Sequence, residues 1–409
     1  MMQCMKKWML QAAVLVLGAG GCERVDLPGG MSGPAGAATA APALDEVARL
    51  LSGLPIGEAQ VVEVYDAVGA SSENGYDEEY RMADLFACPG SGVGDEPVRS
   101  GGRSYDRPLR DLIRERVSAA VPTRSGGADA PSPEAYLEAL ESSDIQIYWP
   151  YSEAWDGRTF PVITWDPSDG SEANVGWRLV ETGEGPAVEE VVVDEDFART
   201  HPVWVVNRND DADFLSLALR RRQDPLWGET GGVLETGRPE HHPTRSGGAP
   251  SVRSLVLKEF TATRNFDTWF AGASEFFVKC GAVEDFTAST EEEMLAYSPA
   301  VTDFMVVVRR GQVGEPVPFN AMLVSQWTEQ LDRCAFLIVE DDGGTVTSWK
   351  CAAEVKVKSK TYGFDVTIPF HTRDDIVWRG QLSRPYFEGY SAVPGNFGDV
   401  TLTFELVSR

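Results

Sequence analysis

Two hydrophobic periods divide the chain. Between residues 44 and 142 apolar positions recur every three to four residues, in "LDEVARLLSGL", "GEAQVVEVYDAVGA", "YDEEYRMADLFA" and "RPLRDLIRERVSAA". In the last of these Leu109, Leu112, Ile113 and Val117 keep helical spacing. "SPEAYLEALES" carries a Ser-Pro start signal and closes the helical stretch near residue 142. From residue 143 the period shortens to two. "DIQIYWPY", "FPVITW", "GWRLVE", "VEEVVV" and "PVWVVN" are short β-type runs separated by Asp, Gly, Pro and Asn. After Ser251 the runs follow closely, among them "VRSLVLKEFTAT", "SEFFVKCG", "TDFMVVVRR", "FNAMLVSQW", "YGFDVTIPF" and "DVTLTFELV". So many short strands with turn signals between them predict an antiparallel sandwich. The expected fold is multidomain and mostly β: a helical region at 44–142, a small β module at 143–236, a linker at 237–250 and a β-sandwich at 251–409. A length of 409 residues accommodates two or three such domains.

Residues 1–22 follow neither period. Lys6 and Lys7 precede the apolar run "WMLQAAVLVLGAG", which is too short to span a bilayer and reads as a secretory signal. Ala19-Gly20-Gly21-Cys22 resembles the lipobox of bacterial lipoproteins, with Ala19 where leucine is usual. The resemblance implies cleavage before Cys22 and a palmitate-type lipid on its sulfur; an ordinary cleaved signal is the alternative. Residues 23–43, ending "GPAGAATAAPA", then form a flexible tether. Signal, spacer and β modules together resemble cell-envelope lipoproteins of Bacteroidota-type Gram-negative bacteria, specifically so only over the first 22 residues. The likeness implies an outer-membrane anchor, on the periplasmic or the surface side, and a glycan or an envelope protein as partner.

Charge narrows the partners further. The chain carries 36 basic and 63 acidic residues, a net charge of −27, and losing Lys6 and Lys7 with the signal takes this to −29. Every phosphate contact needs a cation, so nucleic acid is excluded as a partner.

Six cysteines are encoded. Export implies an oxidising compartment, where disulfides persist. In "CAFLIVEDDGGTVTSWKC" a two-residue turn at Asp342-Gly343 places Cys334 opposite Cys351 on a non-hydrogen-bonded pair, with Cα atoms about 4.5 Å apart. That is the short end of disulfide geometry, and a Cys334–Cys351 bond is expected. Alternation puts both sulfurs on the face shared with Phe336, Ile338, Ala353, Val355 and Val357. A pair of buried free thiols is the alternative.

Strong catalytic spacings are missing: there is no H-E-x-x-H, P-loop, G-x-S-x-G or C-x-x-C. The four histidines are His201, His241, His242 and His371, and no nucleophile is spaced to use one. An enzyme is therefore disfavoured, although an extracytoplasmic hydrolase working with dispersed carboxylates stays open. Three constellations carry other chemistry. "YWPYSEAWDGRTFPVITWDP" gathers Tyr148, Trp149, Trp155 and Trp165, whose flat rings suit stacking on sugar faces; filling a thin core is the competing use. "NRNDDADF" sets Asn207, Asn209, Asp211 and Asp213 at alternating positions, as oxygen ligands for Ca²⁺ would be, or as a plain polar loop. Glu240, His241 and His242 sit in the linker as a weaker metal candidate. The expected function is a membrane-anchored binding or structural lipoprotein. An assembly component that pairs through a sandwich edge is the first alternative.

Overall fold

Among the described residues, helical periodicity in the first third is realised as five helices and one short strand. The computed structural model describes residues 41–87, 105–119, 132–182, 185–209, 211, 214–223 and 253–408. Helix α1 (Leu44–Ser52) has Asp45 and Glu46 in its first turn and Arg49 in its last, the charge order that its dipole favours. Helix α2 (Glu58–Glu73) is capped where the Gly57 N–H donates to Gln60 Oε1 at 2.8 Å. Strand β1 (Glu79–Arg81) runs into α3 (Met82–Phe86), and α4 (Leu109–Ala119) follows. Ser132 caps α5 (Pro133–Glu141), its hydroxyl accepting from the Ala135 N–H at 3.2 Å, as the Ser-Pro signal predicted.

A six-stranded sheet comes next: β2 (Ile145–Tyr148), β3 (Val162–Trp165), β4 (Ala173–Thr182), β5 (Gly185–Asp194) and, after the short helix α6 (Glu195–Ala198), β6 (Val203–Arg208). Its order is β1-β2-β6-β3-β4-β5, antiparallel except for the β3–β6 pair. Strand β1 comes from the helical stretch and pairs with β2, Tyr80 opposite Ile147. Val47 and Leu51 of α1, Val61 and Val64 of α2, and Leu112 and Ile113 of α4 pack on one face of this sheet against Ile147, Trp204 and Val206. Helices and central strands therefore share one sheet and one core.

After α7 (Leu217–Gln223) come the remaining strands, in two sheets. One holds β7 (Arg253–Ala262), β10 (Val317–Trp327), β15 (Pro394–Phe397) and β16 (Val400–Ser408) in the order β10-β7-β16-β15. The other has the order β13-β12-β11-β8-β9, from β8 (Ser274–Ala282), β9 (Ala300–Val308), β11 (Leu331–Glu340), β12 (Val346–Val357) and β13 (Lys360–His371). Strand β14 (Asp375–Ser383) joins through β11. Two short helices, α8 (Glu291–Met294) and α9 (Arg384–Gly389), sit between strands, and Thr290 caps α8. Phe260, Phe276, Phe336 and Phe404 lie in the core between the sheets, so the mostly β fold with an antiparallel sandwich at its C-terminal end is what the structure contains. Lys356 and Lys360 belong to the outer hairpin β12–β13 and pair with Asp332 and Glu291 at 2.6 and 3.7 Å.

A third, smaller core joins the two layers. Alternation along β6 sends Trp204 and Val206 to the helices and Val203 and Val205 the other way, onto Trp269 and Phe270 from the β7–β8 loop. Both faces of β6 are thus covered, which is why "VWVV" is uninterrupted in apolar character. Around this core the acids of "YDEEY" are buried: Asp77 accepts from the Ala273 N–H at 2.9 Å, and Tyr76 donates to the Phe214 carbonyl at 2.9 Å.

The Cys334–Cys351 disulfide is not formed, and the reason is a third strand. Strands β11 and β12 pair only at their open end, Leu331 with Val355 and Arg333 with Glu354, and a bulge breaks the register. Beyond it β14 takes over the edge of β11, placing Leu382 opposite Cys334, while Cys351 faces Val366 on β13. The residues after Glu340 form a wider connection than a two-residue turn. Cys280, Cys334 and Cys351 are free thiols, and Cys334 of β11 neighbours Cys280 of β8, where burial pushes its thiol well above the usual range. Cys22 and Cys88 lie outside the described residues.

Candidate functional site: an aromatic pocket

The chain leaving β2 is built to open a pocket. The Trp149 N–H donates to the Glu78 carbonyl at 2.9 Å, ending the strand, and Tyr151 adopts a left-handed conformation with φ 57°. A short helical turn, Ser152–Ala154, delivers Trp155 and then Asp156. Asp156 closes a tight turn: Oδ1 accepts from the N–H groups of Arg158 and Thr159 at 2.9 and 2.7 Å, and Oδ2 accepts the Thr159 hydroxyl at 2.7 Å. These bonds, from Thr159 above all, hold its carboxyl below the ordinary range. The segment from Ala198, the last residue of α6, to Pro202, just before β6, forms the facing wall. Between them lies a cavity of about 330 Å³, near the lower end for small-ligand sites.

Packing makes the walls rigid. Trp149 is only 1% exposed and meets Tyr65, Trp155 and Trp204 with ring centroids 5.9, 5.4 and 6.0 Å away, edge to face with each. Trp155 is half-buried, with Nε1 donating to the Thr159 carbonyl at 2.8 Å. Tyr151 donates to Glu195 Oε1 at 2.7 Å and accepts from Arg199 Nε at 3.2 Å. Burial alone would raise the Glu195 carboxyl, but the Tyr151 hydroxyl and the Arg310 and Arg199 guanidiniums hold it below its ordinary range. His201 stacks on Phe197, centroids 4.2 Å apart, and its Nδ1 lies 3.0 Å from the Thr200 hydroxyl.

The pocket therefore offers the half-buried Trp155 ring, backed by the buried Trp149, together with hydroxyl, guanidinium and imidazole groups, an array that suits a polyhydroxylated ligand of low charge. Among the described residues its lining holds one carboxylate, Asp156, already engaged by its own turn. Glycoside hydrolysis by the usual route needs two carboxyl groups flanking the bond.

The aromatic residues singled out in the sequence fall in three places. Trp149 and Trp155 line the pocket. Tyr148 points from the other face of β2 into the third core and is fully buried. Trp165 stacks on Trp177 at 5.0 Å, and Arg49 covers Trp177 at 4.5 Å. Asn207 donates to the carbonyls of Phe270 and Ala271, and Asn209 to Glu79, Gln146 and Asp211, so both amides cross-link buried segments. Asp213, His241 and His242 lie outside the described residues. Sequence reading did not join Arg199 and His201 to the aromatic run, because some 45 residues and three strands separate them. The one local signal was Asp194, whose side chain caps α6 and so sets the facing wall. No family model, curated protein or solved structure matches this chain.

Proposed function

We propose that this chain is a lipid-anchored binding protein of the bacterial cell envelope that takes a neutral saccharide unit in the Trp149–Trp155 pocket. The observation that carries this reading is the half-buried Trp155 ring, held in place by Trp149, with Thr159, Arg199 and His201 around one cavity. Anchoring rests on the lipobox-like Ala19-Gly20-Gly21-Cys22, and the acidic charge suits a solvated extracytoplasmic surface. The experiment is a saccharide-binding screen on the purified chain, with calorimetry on any hit. Trp155→Ala is expected to weaken binding at least about tenfold, the loss of one stacked ring, while leaving the circular dichroism unchanged. Wild-type chain that binds no saccharide, or a variant that binds equally well, would sink the reading.

A second reading rests on the edge strand β5, where Val188 and Val192 are 50% and 70% exposed. Among the described residues no strand pairs with the far side of β5, and such an edge is a template for strand addition from another envelope protein. Crosslinking of one such protein through β5, with no saccharide bound, would replace the pocket reading with this one.

A further inference from the structure

Acids from three separate parts of the chain converge at one end of β11. Asp267 comes from the β7–β8 loop, Glu275 is the second residue of β8, and Glu340 is the last of β11. One carboxylate oxygen of each lies within 4.8 Å of the others. Backbone pairing fixes two of the three: Glu340 sits opposite Phe276, and the Asp341 N–H donates to the Glu275 carbonyl at 2.9 Å. Glu340 is 0% exposed, and among the described residues neither of its oxygens, nor Oδ2 of Asp267, meets a hydrogen-bond donor. A buried carboxylate without a partner is costly, so this arrangement calls for a positive group that these side chains do not provide.

Nearby cations do not meet the need. Arg310 faces Asp267, yet its Nε and Nη2 donate to the carbonyls of Gly272 and Asp267 at 3.1 and 2.7 Å, and its Nη1 pairs with Glu195 at 3.4 Å. Arg373 acts on Asp342, while Asp166, Asp342 and Asp375 add further negative charge around Asp267 and Glu340. A proton shared between Glu340 and Asp267 would be one donor for three unpartnered oxygens and would leave at least one of them unsatisfied.

We propose that Asp267, Glu275 and Glu340 ligate one divalent cation of calcium's size. The donors are all carboxylate oxygens, the set that hard cations prefer. Oxygens on opposite sides of a calcium ion stand about 4.6–5.2 Å apart, so the three fall within one coordination shell. The ion would fasten the β7–β8 loop, whose Trp269 and Phe270 fill the third core, to the sandwich strands β8 and β11. Its role is that of a clasp between the two layers, independent of what the aromatic pocket binds. The neighbouring group of Asp341, His371 and Asp374 differs: its imidazole already lies 3.1 Å from Asp341, and Asp374 accepts the His371 N–H at 2.7 Å.

The test is calcium titration of the chelator-treated full chain, by calorimetry and by thermal unfolding, with magnesium in parallel. Uptake of one calcium per chain is expected, with a melting temperature raised by on the order of 5 °C in millimolar calcium and a smaller rise in magnesium. Glu340→Gln and Asp267→Asn should each remove most of that rise, and His371→Ala should retain it. Asp267 sits in a loop and its amide variant keeps the same shape, so Asp267→Asn decides the matter if Glu340→Gln does not fold. No calcium uptake by the wild type overturns the proposal. So does full uptake in both carboxamide variants, or loss of uptake in His371→Ala alone.

Discussion

At the scale of single residues the unusual feature is the burial of Asp77, Glu78 and Glu79 in one run. Burial raises the Asp77 carboxyl to about 6 from 3.8, against the opposing pull of the Ala273 and Glu78 N–H groups and of Arg309. Glu78 is driven well above its ordinary range by burial and by Asp77. In both cases the folded chain holds a proton that the unfolded chain releases at lower pH. Asp77's contribution to stability is therefore full below about pH 4 and lost as pH rises through 6, and that of Glu78 is likewise lost as pH rises. For Asp77 alone the whole span is worth at most about 3 kcal/mol. Thermal unfolding should give a higher midpoint at pH 5 than at pH 7.5 in the presence of chelator, and Asp77→Asn should narrow that gap. A midpoint that climbs between pH 5 and 7.5 would contradict the assignment. None of this was legible in the sequence, where three consecutive acids look like solvated surface. They are inside because the β2 strand and the β7–β8 loop close over them from positions about 70 and 195 residues away.

At the scale of elements, most helices and strands could be read from period and capping, since those signals act within a few residues. Ser132 caps the helix that its Ser-Pro signal announced. The Cys334 hairpin shows where local signals stop. Asp-Gly and clean alternation favour a tight turn, but β14 competes for the same edge of β11 and forms the longer ladder. Pairing partners are decided by such competition, which a single hairpin's residues do not record. The same holds for the pocket: Trp149 and Trp155 were visible as an aromatic run, whereas their facing wall is positioned by α6 and β6. Close approach between β8 and β13 is equally non-local. A Cβ added to Gly281 would stand 2.5 Å from Val366 Cγ1, inside contact distance. Gly281→Ala is expected to destabilise the chain by about 1–3 kcal/mol, through displacement of β13, as read by chemical denaturation. A cost near zero would mean that these strands separate more readily than their packing implies.

At the scale of the whole molecule, the boundaries drawn at residues 143 and 251 mark changes of period, and the cores are drawn differently. Helices and central strands form a single layer around one core, and the layer meets the sandwich through Trp269 and Phe270. Trp269 is fully buried and its Nε1 donates to the Glu172 carbonyl at 2.9 Å, crossing from one layer to the other. Trp269→Ala should cost about 3–5 kcal/mol and split one denaturation transition into two, followed by tryptophan fluorescence and circular dichroism together. Coincident transitions in the variant would show that the layers are coupled mainly by other contacts.

The pairing of β7 with β16 also sets a clock on assembly. Arg253 lies opposite Ser408 and Ala262 opposite Val400, so the strand that opens the sandwich waits beside an empty place until the last strand has been synthesised. Contacts so distant along the chain form slowly, and a growing polypeptide cannot complete this sheet by folding as it emerges. A ribosome that stalls short of residue 400 would release a chain whose β7 is paired on one side only, and such a bare edge recruits other molecules. Folding should accordingly be most sensitive to changes in residues 400–408.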